Sequence, residues 1–197
     1  MNTGDMGRPG QQTKCRVRND LFNAKEGFSL GRSKAYFAIW YLVKCVFFLS
    51  PLPWPRGWKR GLLRVFGAKV GHGVYIKPRV NVHIPWNLTI GEHTWVGEEV
   101  CIINFAPVSI GAHCCISQRV FLCAGSHDYR SENMCYRHAP IVVEDGVWVG
   151  AQVFVGPGVT LGQESVITAG SVAAKDTPKA MVCSGNPAVP VRQRWKQ

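Results

Sequence analysis

The sequence predicts an all-β solenoid, a stack of coils made of short strands, preceded by a short helical segment that is first apolar and then basic. Three observations indicate it: across residues 67–176 an aliphatic residue recurs every six positions, glycine often follows it, and a small or β-branched residue often stands four places after it. Six residues turn an α-helix by about 600°, so these aliphatics would leave any single helical face. A plain strand of period two would not need glycine at every sixth position.

The first two segments differ sharply in composition. Residues 1–27 are polar and rich in Gly, Asn and basic residues, so we expect a flexible leader. Residues 28–66 are expected to be helical, and their 15-residue apolar run from Ala35 to Leu49 is interrupted only by Lys44. As a helix this run spans about 22 Å, short of the ~30 Å hydrocarbon core, so it is not expected to cross a membrane. The prolines of "SPLPWP" end that helix.

Basic and apolar residues alternate in the next stretch, "RGWKRGLLRVFG". Residues 1–66 hold 12 Lys/Arg against three Asp/Glu, so most of the formal net charge of +11 lies there. An amphipathic basic segment can bind an anionic membrane surface. It can equally pack as a helical lid on the main domain or on a neighbouring subunit. The two interpretations of residues 35–66 are compatible, and the sequence leaves both open.

The repeat itself predicts the internal ladders of the solenoid. Three six-residue sides close one triangular coil of 18 residues, so residues 67–176 supply about six coils. Glycine is expected to let the backbone turn each tight corner. Residues 177–197 follow as a C-terminal tail. The expected core residues are Val70, Ile76, Val82, Ile84, Ile90, Val96, Ile102, Ile110, Ile116, Leu122, Val143, Val149, Val155, Leu161 and Ile167.

The rhythm is interrupted three times. It slips by two residues before Ile84 and again between Ile102 and Ile110, and it stops for 21 residues after Leu122. The long interruption predicts a loop, residues 123–142, that leaves the solenoid wall and begins with "GSHD". Because a long loop that begins at a histidine interrupts an otherwise regular repeat, we expect this histidine to have a functional role.

Several stretches together resemble one enzyme family. "IVVEDGVWVGAQVFVGPGVTLGQESVITAGSVAAKD" resembles the C-terminal half of hexapeptide-repeat acyltransferases. "PWNLTIGEHTWVG", "VSIGAHCCISQRVFLCAGSHDY" and "SGNPAVPVR" resemble the colanic-acid-biosynthesis type of sugar O-acetyltransferase, which is similar to the galactoside, maltose and nodulation-factor acetyltransferases. The resemblance covers roughly residues 28–195. It implies a left-handed parallel β-helix, a homotrimer, acetyl-CoA as co-substrate, no metal, and a free or lipid-linked sugar or glycan acceptor in exopolysaccharide biosynthesis.

The resemblance also implies roles for single residues. Acetyl transfer to a hydroxyl needs a general base, and histidine suits this near neutral pH. In the related enzymes the catalytic histidine lies on a loop in a cleft between two subunits, and His127 matches it. Asn104, in the second slip, and Asp128 are the expected acceptor contacts. The expected acetyl-CoA contacts are Trp148, Ala151, Ala169, Lys175 and Arg192. Backbone N–H groups of Ser126, Gly150 or Ala151 could stabilise the oxyanion, and the sequence does not choose among them.

The sequence also leaves other mechanisms and other classes of protein open. Cys123 could act as a covalent nucleophile near His127. His93 and His113 suggest a second alternative, the γ-class carbonic anhydrases, which bind zinc through histidines on the same type of coil. An acyltransferase with another acyl donor and a non-catalytic binding solenoid are further alternatives. The eight cysteines contain no CxxC pair, the first 30 residues contain no apolar run, and no nucleic-acid-binding motif is present. We therefore expect a cytoplasmic protein with reduced thiols.

Overall fold

The computed structural model describes residues 15–55 and 57–195. Residues 1–14 of the expected leader, Arg56 of the basic segment and residues 196–197 lie outside the described residues. The described chain forms a left-handed parallel β-helix of about six turns with a short helical segment before it. The predicted fold class is confirmed.

The helical segment packs one side against the solenoid. Helix α1 spans Lys34–Val43, and the hydroxyl of Ser33 caps it by accepting from the Tyr36 N–H at 3.2 Å. A π-helical turn, Lys44–Phe48, continues it, and helix α2 spans Trp58–Val65. Trp40, Phe48 and Leu63 are fully buried on the inner side. Among the described residues, no helix is both long enough and apolar enough to span a membrane.

Three sheets form the sides of the prism, and the chain visits them in the order A, B, C in every coil. Short 3₁₀ turns lie outside them at Asn19–Leu21 and Pro85–Asn87. Sheet A contains Lys69–Val70, Leu88–Ile90, Val108–Ile110, Ile141–Val143 and Thr160–Leu161. Sheet B contains Tyr75–Ile76, Trp95–Val96, Cys115–Ile116, Trp148–Val149, Val166–Ile167, Met181–Gly185 and Ala188–Gln193. Sheet C contains Asn81–Val82, Cys101–Ile103, Phe121–Cys123, Phe154–Val155 and Val172–Ala173.

The expected ladder residues form the core of the prism. Every one of them is buried, with at most 9% of its surface exposed. Neighbouring strands pair parallel and in register, so that Val96 lies between Ile76 and Ile116 in adjacent coils. Each aliphatic side chain therefore stacks on the equivalent residue of the next coil, as the six-residue period predicts.

The glycines of the repeat have a different role from the expected one. The corners are turned three places after the aliphatic residue, where the backbone is left-handed: φ is 57° at Arg79, 56° at His93 and 60° at Gln152. The glycine next to the aliphatic residue lies instead where two coils approach. A Cβ added to Gly97 would lie 2.7 Å from the carbonyl carbon of Ser117. The expectation that these glycines turn the corners is wrong, because close backbone approach is what requires glycine at these positions, with Gly156 as the exception.

Gly97→Ala is expected to lower the free energy of unfolding by about 1–3 kcal/mol, because the added methyl group must displace the backbone of the next coil. Gly156→Ala is the matched control at the same repeat position, since the nearest atom to its added Cβ is 3.6 Å away. Equilibrium denaturation of both variants measures the difference. Equal losses would show that coil spacing does not depend on glycine.

All three interruptions of the rhythm lie at one corner. The chain passes from sheet C to sheet A through residues 83–87, then 104–107, then 124–140, in three consecutive coils. The two slips therefore form a support directly beneath the long loop. This arrangement places the loop histidine at the corner between sheets C and A.

Both ends of the described chain pack on the solenoid outside residues 67–176. Sheet B continues past residue 176. Met181–Gly185 pairs parallel with Val166–Ile167 of the same sheet, and Ala188–Gln193 then pairs antiparallel with Met181–Gly185. At the other end, the described part of the leader contacts the long loop: the Arg18 N–H donates to the Glu132 carbonyl at 2.8 Å.

Candidate active site

The long loop is closed by a ladder of backbone hydrogen bonds at its base. The Arg137 N–H donates to the Ser126 carbonyl at 2.8 Å, and the Asp128 N–H donates to the Cys135 carbonyl at 2.8 Å. The peptide units on both sides of His127 are therefore fixed, while the His127 side chain itself is exposed. The loop presents this histidine at a defined place on the outside of the prism.

The imidazole of His127 is held in one tautomer. Its Nδ1 lies 2.5 Å from the carbonyl oxygen of Met134. A carbonyl oxygen can only accept, so Nδ1 carries the proton and donates it. The neutral ring consequently has its lone pair on Nε2, which is the form that a general base requires. The Met134 carbonyl is a backbone group, and no residue pattern could have pointed to it.

Aromatic rings support the loop from below. His83 packs on Phe105, with ring centroids 4.8 Å apart, and Phe105 stacks on His138 at 5.0 Å. His138 then contacts Tyr136, and Tyr136 contacts His127 at 5.1 Å. Burial, followed by the nearby charge of His127, lowers the pKa of His138. Its Nδ1 accepts from the Ser126 N–H at 3.2 Å, so in this arrangement the proton-free nitrogen of His138 faces the loop backbone.

The two expected acceptor contacts are occupied with other partners. Asn104 is fully buried, its Oδ1 accepts from the Ile84 N–H at 2.8 Å, and its Nδ2 donates to the Ile84 carbonyl at 2.5 Å. Asn104 thus ties the two slips together through its amide oxygen and one amide N–H, and its expected contact with the acceptor stays a prediction. Asp128 accepts from the Arg130 N–H at 3.0 Å and so fixes the turn after the histidine.

Three of the expected acetyl-CoA contacts lie on sheet B or on the corner between sheets B and C. Trp148 is 49% exposed on sheet B, and its indole Nε1 donates to the Ser117 hydroxyl at 3.0 Å. Ala151 and Ala169 occupy the corner in successive coils, and the Gly170 N–H donates to the Ala151 carbonyl. Ala151 lines a groove of about 410 Å³ at this corner, together with Glu98, Glu99, Gln118, Arg119 and Gln152.

The backbone hydrogen bonds distinguish the three possible oxyanion donors. The Ser126 N–H is bound to His138, and the Gly150 N–H is bound to the Ile167 carbonyl at 2.8 Å. The Ala151 N–H donates to none of the described residues. Of the three, only Ala151 has a backbone N–H without an acceptor among the described residues, and Ala151 is one of the residues that line the groove.

The expected phosphate contacts lie near the C-terminal end of the prism. Lys175 is exposed just past the last strand of sheet C, and Arg192 is exposed on the closing strand of sheet B. Arg194 lies at the corner between sheets A and B, where its guanidinium donates to the carbonyls of Gly146 and Glu164. Arg194 therefore anchors the end of the chain.

The structure does not bring His127 and Ala151 together within one chain. His127 lies at the corner between sheets C and A, and Ala151 lies at the corner between sheets B and C. A reaction that uses both groups needs the corner of one chain to face the loop of another.

The described residues also bear on the rival chemistries. The Cys123 thiol donates to the Gly125 carbonyl at 3.3 Å and so has a partner at the base of the loop. His93 and His113 stack at 5.3 Å on the exposed corner between sheets A and B. Nowhere in 15–55 or 57–195 do three or more His, Cys, Asp or Glu side chains form a group that could hold a metal ion.

Comparison with known proteins agrees with the fold. A family model described as the hexapeptide repeat of succinyl-transferase matches residues 140–173. The putative colanic acid biosynthesis acetyltransferase WcaF of Escherichia coli K12 is 41% identical over 173 residues, which cover 88% of this chain and 94% of that protein. The galactoside O-acetyltransferase of the same strain is 31% identical over 139 residues, 68% of each chain.

Solved structures of acetyltransferases have a similar fold. A hexapeptide-repeat-containing acetyltransferase from Vibrio cholerae, complexed with acetyl coenzyme A, is 29% identical with a TM-score of 0.75 over 82% of this chain and 88% of that chain. A galactoside acetyltransferase in complex with coenzyme A is 27% identical with a TM-score of 0.73 over 81% of each chain. The resemblance found in the sequence is confirmed, and the chain belongs to the hexapeptide-repeat acetyltransferase family.

Proposed function

We propose that this acetyltransferase moves an acetyl group from acetyl-CoA to a hydroxyl of a sugar or glycan intermediate, in exopolysaccharide biosynthesis, with His127 as general base. The observation that supports it most directly is the hydrogen bond from Nδ1 of His127 to the Met134 carbonyl, which leaves Nε2 free to accept a proton. The relatives named for colanic acid and galactoside chemistry favour a sugar as the acceptor.

In this mechanism His127 acts twice. Nε2 takes the proton of the acceptor hydroxyl while the oxygen attacks the thioester carbonyl, and the carbonyl oxygen becomes an oxyanion. The Ala151 N–H donates a hydrogen bond to that oxygen. When the C–S bond breaks, Nε2 returns the proton to the leaving sulfur. Trp148 and Ala169 would flank the bound acetyl-CoA, while Lys175 and Arg192 would bind its phosphates.

The active unit is proposed to be a homotrimer. His127 and Ala151 lie at different corners of one prism, and a ring of three prisms would place the loop of each chain against the corner of the next. Each trimer would then hold three equivalent clefts.

A thiol-release assay tests the reaction. With acetyl-CoA and a panel of simple sugars and lipid-linked glycans, we expect free CoA to appear in step with an O-acetylated sugar identified by mass spectrometry. Succinyl-CoA in place of acetyl-CoA tests the acyl group. Thiol release without any acylated sugar, or preference for a succinyl group, would contradict the proposal.

The outer face of the helical segment supports a proposed location on the cytoplasmic surface of the inner membrane. Ile39, Leu42, Val46 and Leu49 recur at helical spacing and are all exposed. Lys44, the charged residue within this run, is only 4% exposed because it points inward, where burial lowers the pKa of its ammonium group. The outer stripe is therefore uncharged.

Basic residues stand next to this stripe. Arg32 and Lys34 are exposed at the start of α1, in a part of the chain with a strong excess of positive charge. An apolar stripe beside basic residues complements an anionic lipid surface, which is the occupant we propose. Such a location would bring the enzyme to lipid-linked acceptors.

Flotation with vesicles that contain anionic lipid should recover the wild-type protein in the lipid fraction. The double variant Leu42→Ser, Val46→Ser should lose most of this binding, because it removes the apolar contact without changing charge. Val142→Ser, on the exposed side of sheet A, is the control. Equal flotation of all three proteins, or dissociation of the oligomer in the double variant alone, would contradict a membrane contact.

A further inference from the structure

The described part of the leader forms a strap across the long loop. Its start is tied to the loop by the bond from the Arg18 N–H to the Glu132 carbonyl, and its end is tied to the first slip, where the Trp86 indole N–H donates to the Leu30 carbonyl at 2.7 Å. We call residues 18–30 the strap. It contains two aromatic residues, Phe22 and Phe28, within an otherwise mostly polar leader.

Phe22 lies beside the proposed catalytic base. Its ring centroid is 5.5 Å from that of His127 and 5.1 Å from that of Tyr136. Tyr136 and His127 are themselves 5.1 Å apart, so the three rings contact one another pairwise. The Phe22 ring is only half-buried, and part of it faces the solvent next to the imidazole. The strap thus supplies an apolar wall beside the place where the acceptor hydroxyl must come.

The rings of Phe22 and Tyr136 beside His127 favour a ligand with a flat apolar face. The Asp128 carboxylate accepts from the Arg130 N–H within its turn, and the Arg130 guanidinium lies over the Tyr129 ring. A pyranose has such a face, because the C–H bonds on one side of its ring are apolar while the hydroxyls lie around the rim. Aromatic rings pack well against a surface of this kind.

We propose that Phe22 is a specificity-determining residue of the acceptor site: the sugar ring rests its C–H face on Phe22 while one hydroxyl reaches Nε2 of His127. This inference rests on the proposed acetyl transfer to a sugar. The strap is held independently of this ring, because Phe28 packs edge-on against Phe105 at 5.0 Å and against His138 at 5.6 Å. Replacing Phe22 therefore leaves the strap in place.

Phe22→Leu keeps an apolar side chain and removes the flat ring. With methyl galactoside, methyl glucoside and methyl fucoside as probes, we expect KM for the best acceptor to rise about two- to tenfold. The KM for acetyl-CoA and the kcat should stay at their wild-type values. Phe22→Tyr, which restores a flat ring, should recover the wild-type acceptor KM. Leu21→Ala, at an exposed neighbouring position of the same strap, is the control.

Saturation-transfer NMR gives a second readout that does not depend on turnover. The wild-type protein should transfer saturation mainly to the C–H protons on one face of the sugar, and Phe22→Leu should lose this one-sided pattern. An unchanged acceptor KM and an unchanged pattern would overturn the inference while leaving the proposed function intact. A fall in kcat with every acceptor, together with a lower Tm, would also overturn it, because Phe22 would then only support the loop. A wild-type protein that acetylates no sugar at all would remove the proposed function itself.

Discussion

His127→Ala is expected to lower kcat by about 10²–10⁴-fold while the protein keeps its fold, because the variant lacks the Nε2 lone pair that takes the acceptor proton. The side chain is exposed, and Phe22 and Tyr136, the rings that it contacts, also contact each other, so the loop and the strap stay packed without it. Steady-state kinetics with a saturating sugar acceptor, together with circular dichroism and Tm, measure the effect.

The control is another exposed histidine. His113→Ala removes a ring that stacks on His93 at a different corner of the prism, and it should leave kcat unchanged. A near-wild-type rate in His127→Ala would remove the assignment of the base. An equal loss in both variants would mean that the effect is structural.

Mixed oligomers are expected to recover activity that neither parent variant has. Ala151→Glu should block the donor side, because its carboxylate repels the anionic acetyl-CoA and fills the groove. The substitution fits the fold, since the equivalent corner positions in the two preceding coils hold Glu98 and Gln118. Co-expression of Ala151→Glu with His127→Ala forms clefts that combine the intact loop of one chain with the intact corner of its neighbour.

In every mixed trimer one of the three clefts combines both intact halves, so the purified mixed trimers should regain about one third of the wild-type rate. The two variants carry different affinity tags, and tandem purification isolates the mixed oligomers. Each variant expressed alone supplies the baseline. Mixed oligomers that stay at this baseline would show that a single chain holds the whole site.

The loop and its histidine could be located from the rhythm because an interruption is visible along the sequence itself. The oxyanion donor could not be located in this way, because nothing in the sequence distinguishes the backbone N–H groups of Ser126, Gly150 and Ala151. Their N–H groups differ only in whether a carbonyl or ring nitrogen from another coil or from the far side of the loop is in reach. Asn104 shows the same limit. Its place in a slip could not show that the slip of the preceding coil lies beside it and binds its amide oxygen and one amide N–H.

By itself the sequence determined the solenoid, its core ladders, the site of the long loop and the enzyme family. These follow from spacing and motif, since every coil must bury its own aliphatic residues and the six-residue period counts them directly. Only the tertiary structure decided that the two slips and the loop share one corner, that Nδ1 of His127 donates to a carbonyl, and that Phe22 lies beside the imidazole. Such contacts join residues that are distant along the chain, and their geometry exists only once the coils are stacked.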